Sequence, residues 1–171
     1  MTTALKEVVN TNSWKRVWKI RKFADDAAHK ADTPYAVETF EGNTLLNQGI
    51  AEMIDLLIGA GGTTVYSNAN AHLGVGDSSD PEDAADTDLQ AGANKFYQPC
   101  DATYPQRSGS VDIVARSTFA SGDANYAWEE FTLANGSSGA AENFNRKISS
   151  QGTKTAGQTW ELTLTITITA A

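Results

Sequence analysis

One cysteine, Cys100, stands in a chain of 171 residues. No intrachain disulfide can form, and a multi-cysteine zinc site is excluded. Cys100 has no Lys, Arg or His as an immediate neighbour in "QPCDATYP", so a structural thiol is expected. There are two histidines, His29 and His72, in distant parts of the chain, and no G-x-S-x-G elbow accompanies either. "GVGDSS" has two of the three glycines of a dinucleotide turn, and no G-K-[ST] phosphate loop is present. The helix expected nearby precedes that turn, so its N-terminus is not placed to hold a pyrophosphate. No apolar run approaches the roughly 20 residues of a membrane span. The start, "MTTALKEVV", has no signal-peptide apolar region, so a soluble protein retained inside the cell is expected.

Lys and Arg are missing from residues 31–94, which carry eleven acids. Residues 1–30 hold seven of the 13 bases against Glu7, Asp25 and Asp26, a net of +4 on a chain of net charge −8. An acidic protein is poorly suited to nucleic acid, where phosphate must be neutralised. The asymmetry instead suggests a basic segment that meets an acidic surface. With 40% hydrophobic residues the chain can pack a core.

The pattern is mainly β, an antiparallel β-sandwich or jelly-roll-like domain with one α-helix and an N-terminal β arm. "SWKRVWKIRKFAD" alternates in part and favours a strand. "PYAVETFEGN" reads as a second strand, with "ADDAAHKADT" as a polar link. Residues 1–43 thus form a basic arm or hairpin, and residues 44–171 a β-sandwich body with a leading helix over 44–58. In that helix Leu46, Ile50, Met53, Ile54 and Leu57 make one apolar stripe. Asn43 or Thr44 is expected to cap it, Gly59 to stop it, and Gly49 to mark a close approach. Later strands are read in "AHLGVGD", "NKFYQP", "SVDIVARSTFA", "NYAWEEFTLA" and "FNRKISS". In "TWELTLTITITAA" the alternation is cleanest: Trp160, Leu162, Leu164, Ile166 and Ile168 face one way, and Glu161 and the threonines the other.

The acids Asp77, Asp80, Glu82, Asp83, Asp86 and Asp88 lack EF-hand spacing and read as a solvated loop. Glu129 and Glu130 are adjacent on a strand and point apart, so they are no acid/base pair. Trp14, Trp18, Trp128 and Trp160 could form a sugar platform, but each fits a core or interface position better. No catalytic, cofactor-binding or metal-binding residue is assigned, and no cofactor is expected. The partner-binding candidates are Trp14, Lys15, Arg16, Trp18, Lys19, Arg21 and Lys22, with the two tryptophans as apolar anchors and the bases docking on an acidic neighbour.

The motifs "FEGNTLLNQGI", "NANAHLGVGDSS", "DATYPQRSG", "TFASGDANYAWEEF" and "NRKISSQGTKTAGQTWELTLTIT" resemble a family of small virion structural proteins of tailed bacteriophages, over roughly residues 35–169. The departure is Gln151, where the family has Leu before Gly-Thr-Lys. The resemblance implies a non-enzymatic component, assembled into the virion in the host cytoplasm. A capsid decoration (cement) protein is the favoured place, bound to the major capsid protein or neighbouring virion proteins as a symmetric homo-oligomer. A tail, baseplate or fibre-base component is the alternative, and a glycan-binding module or small hydrolase a more distant one. Neither nucleic acid nor membrane is an expected partner.

Overall fold

A computed structural model of the chain describes residues 14–169. They form two five-stranded antiparallel sheets packed face to face, a β-sandwich. The strands of the first sheet are β1 (Trp14–Phe23), β2 (Ala36–Glu41), β6 (Gln106–Ser108), β7 (Asp112–Phe119) and β10 (Thr159–Ile168). They lie in the order β2-β1-β10-β7-β6. The second sheet has the order β3-β9-β8-β4-β5, from β3 (Thr44–Leu45), β4 (His72–Gly76), β5 (Lys95–Pro99), β8 (Glu130–Ala134) and β9 (Asn145–Ile148).

The expected alternation of β10 is what builds the core. Trp160, Leu162, Leu164 and Ile166 are buried and meet Leu73, Val75, Phe131 and Leu133 of the opposite sheet. Aromatic rings fill the middle: Trp128 lies edge-on to Phe119 at 4.7 Å and to Trp160 at 4.9 Å between ring centres. Such edge-to-face pairs add to the free energy of burial itself.

The expected arm is corrected for the described residues. β1 is not a projecting hairpin. It lies inside the first sheet, between β2 and β10, and pairs with β10 from Trp14 opposite Ile168 to Phe23 opposite Thr159. The physical reason is its own alternation: Trp18 and Ile20 turn inward and are fully buried, while Phe23, on the other face, is buried beneath His29 of the link that follows. Residues 14–41 therefore belong to the same core as the rest, with no boundary at residue 43. Residues 1–13 of the expected arm lie outside the described residues.

The link between β1 and β2 contains a short helix, α1 (Asp26–Lys30), which the sequence reading took for a polar loop. The Asp25 carboxylate caps it, accepting from Ala28 N–H at 2.7 Å. The longer helix, α2 (Asn47–Ile58), begins three residues later than expected because Thr44 and Leu45 pair with β9. Its N-cap residue is Leu46, which offers no side-chain bond. Asn43 and Thr44, the expected caps, are engaged elsewhere, with Arg16 and Glu82. The amide of Asn47 instead donates to the Ala84 carbonyl at 2.8 Å. Gly59 ends α2 in the left-handed conformation, φ +70°, as expected.

The expected stripe of α2 divides: Ile50 and Met53 are half-buried, and Ile54 and Leu57 are exposed. Leu46 is buried, but the helix meets the body mainly through Gly49 and Glu52. A Cβ on Gly49 would lie 2.5 Å from the backbone of Phe144, so the approach is closer than any side chain permits. The Glu52 carboxylate turns in and accepts from Thr64 N–H at 2.6 Å and from Asn135 Nδ2 at 3.2 Å. With these two residues inward, Ile54 and Leu57 of the stripe are left on the outside.

Candidate interaction surfaces

The seven basic-segment candidates divide by parity. Even-numbered residues of β1 point toward the sandwich interior. Trp18 is fully buried, stacked on Phe40 at 6.1 Å, and is therefore corrected from a partner anchor to a core residue. Lys22 is also buried: its ammonium donates to the Gln151 carbonyl at 2.7 Å and lies 4.6 Å from the centre of the Trp160 ring. It fastens β1 to the segment before β10 and cannot dock on a neighbour. Arg16 donates to Asn43 Oδ1 at 2.5 Å and to the Asn43 carbonyl at 2.9 Å, holding the turn after β2. Burial lowers its pKa, partly offset by the charge of Glu82. Trp14 is half-buried at the start of the strand. With Lys15, Arg16, Glu41, Gly42 and Thr167 it lines an open cleft of about 530 Å³.

Odd-numbered residues face outward. Lys15 and Lys19 are exposed, and Lys15 pairs with Glu41 at 3.0 Å. Register then builds a broad outer face from β1, β10 and β7: Lys19 lies beside Thr163, which lies beside Arg116, and Arg21 beside Glu161. Glu161 is the electrostatic centre of that face. Its side chain is 8% exposed and is approached by Arg21 at 3.3 Å, Arg116 at 3.8 Å and His29 at 3.8 Å. Arg21 also binds Asp32, and this hydrogen bond is the main cause of the rise in its pKa. The threonines of β10, Thr163, Thr165 and Thr167, fill the rest of the outer face. Of the basic candidates, Lys15, Lys19 and Arg21 thus face outward, Lys15 paired with Glu41 and Arg21 with Asp32 and Glu161.

The acidic loop is held by one buried arginine. Arg146 on β9 has no exposed side-chain surface. It donates to Glu130 Oε2 at 2.8 Å, to Asp86 Oδ2 at 2.9 Å, and to the carbonyls of Asp80 and Pro81. Glu130, also buried, accepts from the amides of Gln90 at 2.8 Å and Ala91 at 2.7 Å. Five of the six carboxylates considered for a cation are engaged by the protein. Asp86 binds Arg146, Asp88 binds Lys95 and Tyr97, and Asp77 accepts from Asn94. Glu82 receives the Ile148 amide at 2.8 Å and the Thr44 hydroxyl at 2.7 Å. Burial pushes the Glu82 pKa up, but these two bonds and Lys147 outweigh it, so the pKa falls below its ordinary value. Among the described residues no group of three or more His, Cys, Asp or Glu side chains is arranged to hold a metal ion.

The remaining reactive groups are locked in place. Burial raises the Cys100 thiol to about 11, well away from the reactive thiolate range. Lys154 is fully buried, its ammonium donating to the carbonyls of Ala120 and Asp123 and to Asn125 Oδ1, all within 2.8 Å; burial lowers its pKa. Trp18, Trp128 and Trp160 are all buried, so they form no exposed sugar platform.

The surface that the sequence reading missed lies on α2. Ile54 is 49% exposed, Leu57 86%, Ile58 70%, and nearby Val65 52%. Together they leave the equivalent of about two and a half aliphatic side chains in water. At ~1.5–3 kcal/mol for each full burial, covering them is worth ~4–8 kcal/mol. Behind this ridge an apolar groove of about 220 Å³ runs between α2 and the end of the first sheet, lined by Met53, Leu56, Tyr66, Ile113 and Ile168 among others. Ile113 and Ile168 of that lining are each more than a third exposed, as is Val111. Exposed apolar side chains gathered on one helix mark a surface that meets another molecule. The signal was present in the sequence as the stripe itself; its direction was not.

A scan of protein-family models finds no match to this chain, and searches of curated proteins and of solved structures find no similar protein.

Proposed function

We propose that this chain is a non-enzymatic structural component of a tailed-bacteriophage particle, a capsid decoration protein that binds the head lattice through its exposed faces. The observation that carries the reading is the outward apolar face of α2, with Leu57 86% exposed on a helix that docks to its own body through Gly49 and Glu52. A domain that places its helix this way gains by association, because Ile54, Leu57 and Ile58 leave water when the helix is covered. The outer face of the first sheet supplies a second contact region. It is broad, rich in threonine, and carries Lys15, Lys19 and Arg21 toward an acidic neighbour such as a major capsid protein. The motif set from "FEGNTLLNQGI" to "GQTWELTLTIT" supports the phage particle as the setting.

Quantitative gel analysis of purified particles tests the reading. Hundreds of copies per virion are expected for a head decoration protein. A few to a few tens of copies would move the protein to the tail or baseplate, and its absence from the particle would overturn the structural role.

A further inference from the structure

We propose that residues 1–13 of this chain close over the apolar groove between α2 and the end of the first sheet, with Leu5, Val8 and Val9 seated against Met53, Leu56 and Ile168. The outward ridge of Ile54, Leu57 and Ile58 is no part of that groove, and the proposal does not depend on a phage setting.

The first argument is where the chain enters. Trp14, the first described residue, is itself one of the side chains that line the groove. On β1 it is half-buried and stands opposite Ile168, another lining residue. Residues 1–13 are therefore attached to the groove's own wall. A segment tethered there acts at an effective concentration on the order of millimolar, which a partner arriving from solution must exceed. The attachment selects this segment over a second copy or another protein.

The second argument is chemistry. Trp14 borders two openings. One is the cleft with Lys15, Arg16, Glu41 and Thr167 on its walls. The other, about 220 Å³, is walled by aliphatic and aromatic side chains. Its Tyr66 hydroxyl donates to the Glu142 carbonyl at 3.0 Å, so the ring and not the polar tip serves the groove. Such walls gain by being covered with apolar side chains and penalise a polar group that finds no partner there. In residues 1–13, Leu5, Val8 and Val9 stand at the i, i+3, i+4 spacing of a single helical face, and the two charged side chains, Lys6 and Glu7, fall off it.

The third argument is reach. Between Val9 and Trp14 stand Asn10, Thr11, Asn12 and Ser13, all polar. At up to ~3.5 Å per residue these four span up to ~14 Å. That is enough to carry Val9 from the wall at Trp14 across to Leu56, since both walls belong to one groove of about 220 Å³.

Disulfide mapping in the full-length protein tests the proposal, with Cys100→Ser removing the background thiol. Val8→Cys with Leu56→Cys should form an intramolecular disulfide about tenfold faster than Val8→Cys with Thr167→Cys, which reports the charged cleft beside the same tether point. Equal rates, or a faster Thr167 pair, would overturn it. A disulfide that joins two chains instead of closing within one would also overturn it, and would give the groove to the segment of a second copy. A second measurement places no cysteine in the groove. Full-length Leu5→Asp/Val8→Asp should uncover the groove, bind more of the apolar-surface dye ANS than the parent and melt at a lower temperature. Dye binding and Tm both equal to the parent's would overturn the proposal.

Discussion

Replacing Gly49 by alanine should destabilise this protein, although the same change stabilises most helices. In an exposed helix interior, Ala is favoured over Gly by ~1 kcal/mol. Here the added methyl carbon would lie 2.5 Å from both Cα and O of Phe144 and 2.8 Å from its carbonyl carbon. Ordinary contact begins near 3.4 Å, so something must retreat by about 1 Å. Phe144 is poorly placed to do so. Its amide donates to the Leu133 carbonyl at 2.7 Å and its carbonyl accepts from Leu46 N–H at 3.1 Å. If α2 retreats instead, it strains that Leu46 bond and the buried Glu52 contacts to Thr64 and Asn135. Overpacking against a fixed neighbour costs ~3 kcal/mol at the upper end of the usual range. Less the helix-propensity gain, the net loss is ~2 kcal/mol, and at 2–4 °C per kcal/mol for a chain of this size Tm should fall by about 4–8 °C. Urea unfolding of Gly49→Ala measures it, with Gly122→Ala as the control, since a Cβ there meets nothing within 4 Å. A Gly49→Ala midpoint equal to or above the parent would refute the close approach of α2 to the Phe144 backbone.

The buried Arg146–Glu130 pair gives a second expectation. Arg146→Met removes one partner and leaves the other charge buried, at a cost of ~3–5 kcal/mol by urea titration, whereas Arg146→Met with Glu130→Leu should recover part of that loss. Recovery of none of it would mean that the amides of Gln90 and Ala91 depend on Glu130 more than Arg146 does. A third concerns acid. The Glu82 pKa is lower in the folded protein than its ordinary 4.5, so its contribution is complete above that value and is lost as pH falls through the folded value. Glu82→Gln should therefore lower stability at neutral pH and flatten the acid limb below 4.5, read from Tm against pH; an unchanged acid limb would refute the assignment.

How far the sequence foretold this structure depends on which physical effect set each element. β10 was legible because strict alternation under a polar threonine face fits one arrangement, a half-buried strand. β1 was legible as a strand, but its neighbours were not. Its pairing with β10 joins residues at opposite ends of the chain, and a run of bases suggested exposure when only the odd positions are exposed. For α2 the apolar stripe is legible, but not that it divides, with Leu46 buried and Ile54 and Leu57 exposed. Periodicity defines a face; the small Gly49 and the hydrogen-bonded Glu52 decided which way it turned. The seven candidate residues split for the same reason, Lys15, Lys19 and Arg21 outward and Trp18 and Lys22 inward. Nor does a lone sequence disclose that Arg146 and Lys154 are buried, because their acceptors come from loops remote in the chain.

The pairing of β1 with β10 also fixes how the domain carries load. Trp14 and Ile168 sit opposite each other at the same end of two antiparallel strands. Tension applied between those two points runs along the inter-strand hydrogen bonds, which lie perpendicular to the strands, and meets them one pair after another. The two strands then peel apart in sequence, at low force, opening the sandwich between its central strands. Drawn by those two ends, the domain yields like a zip.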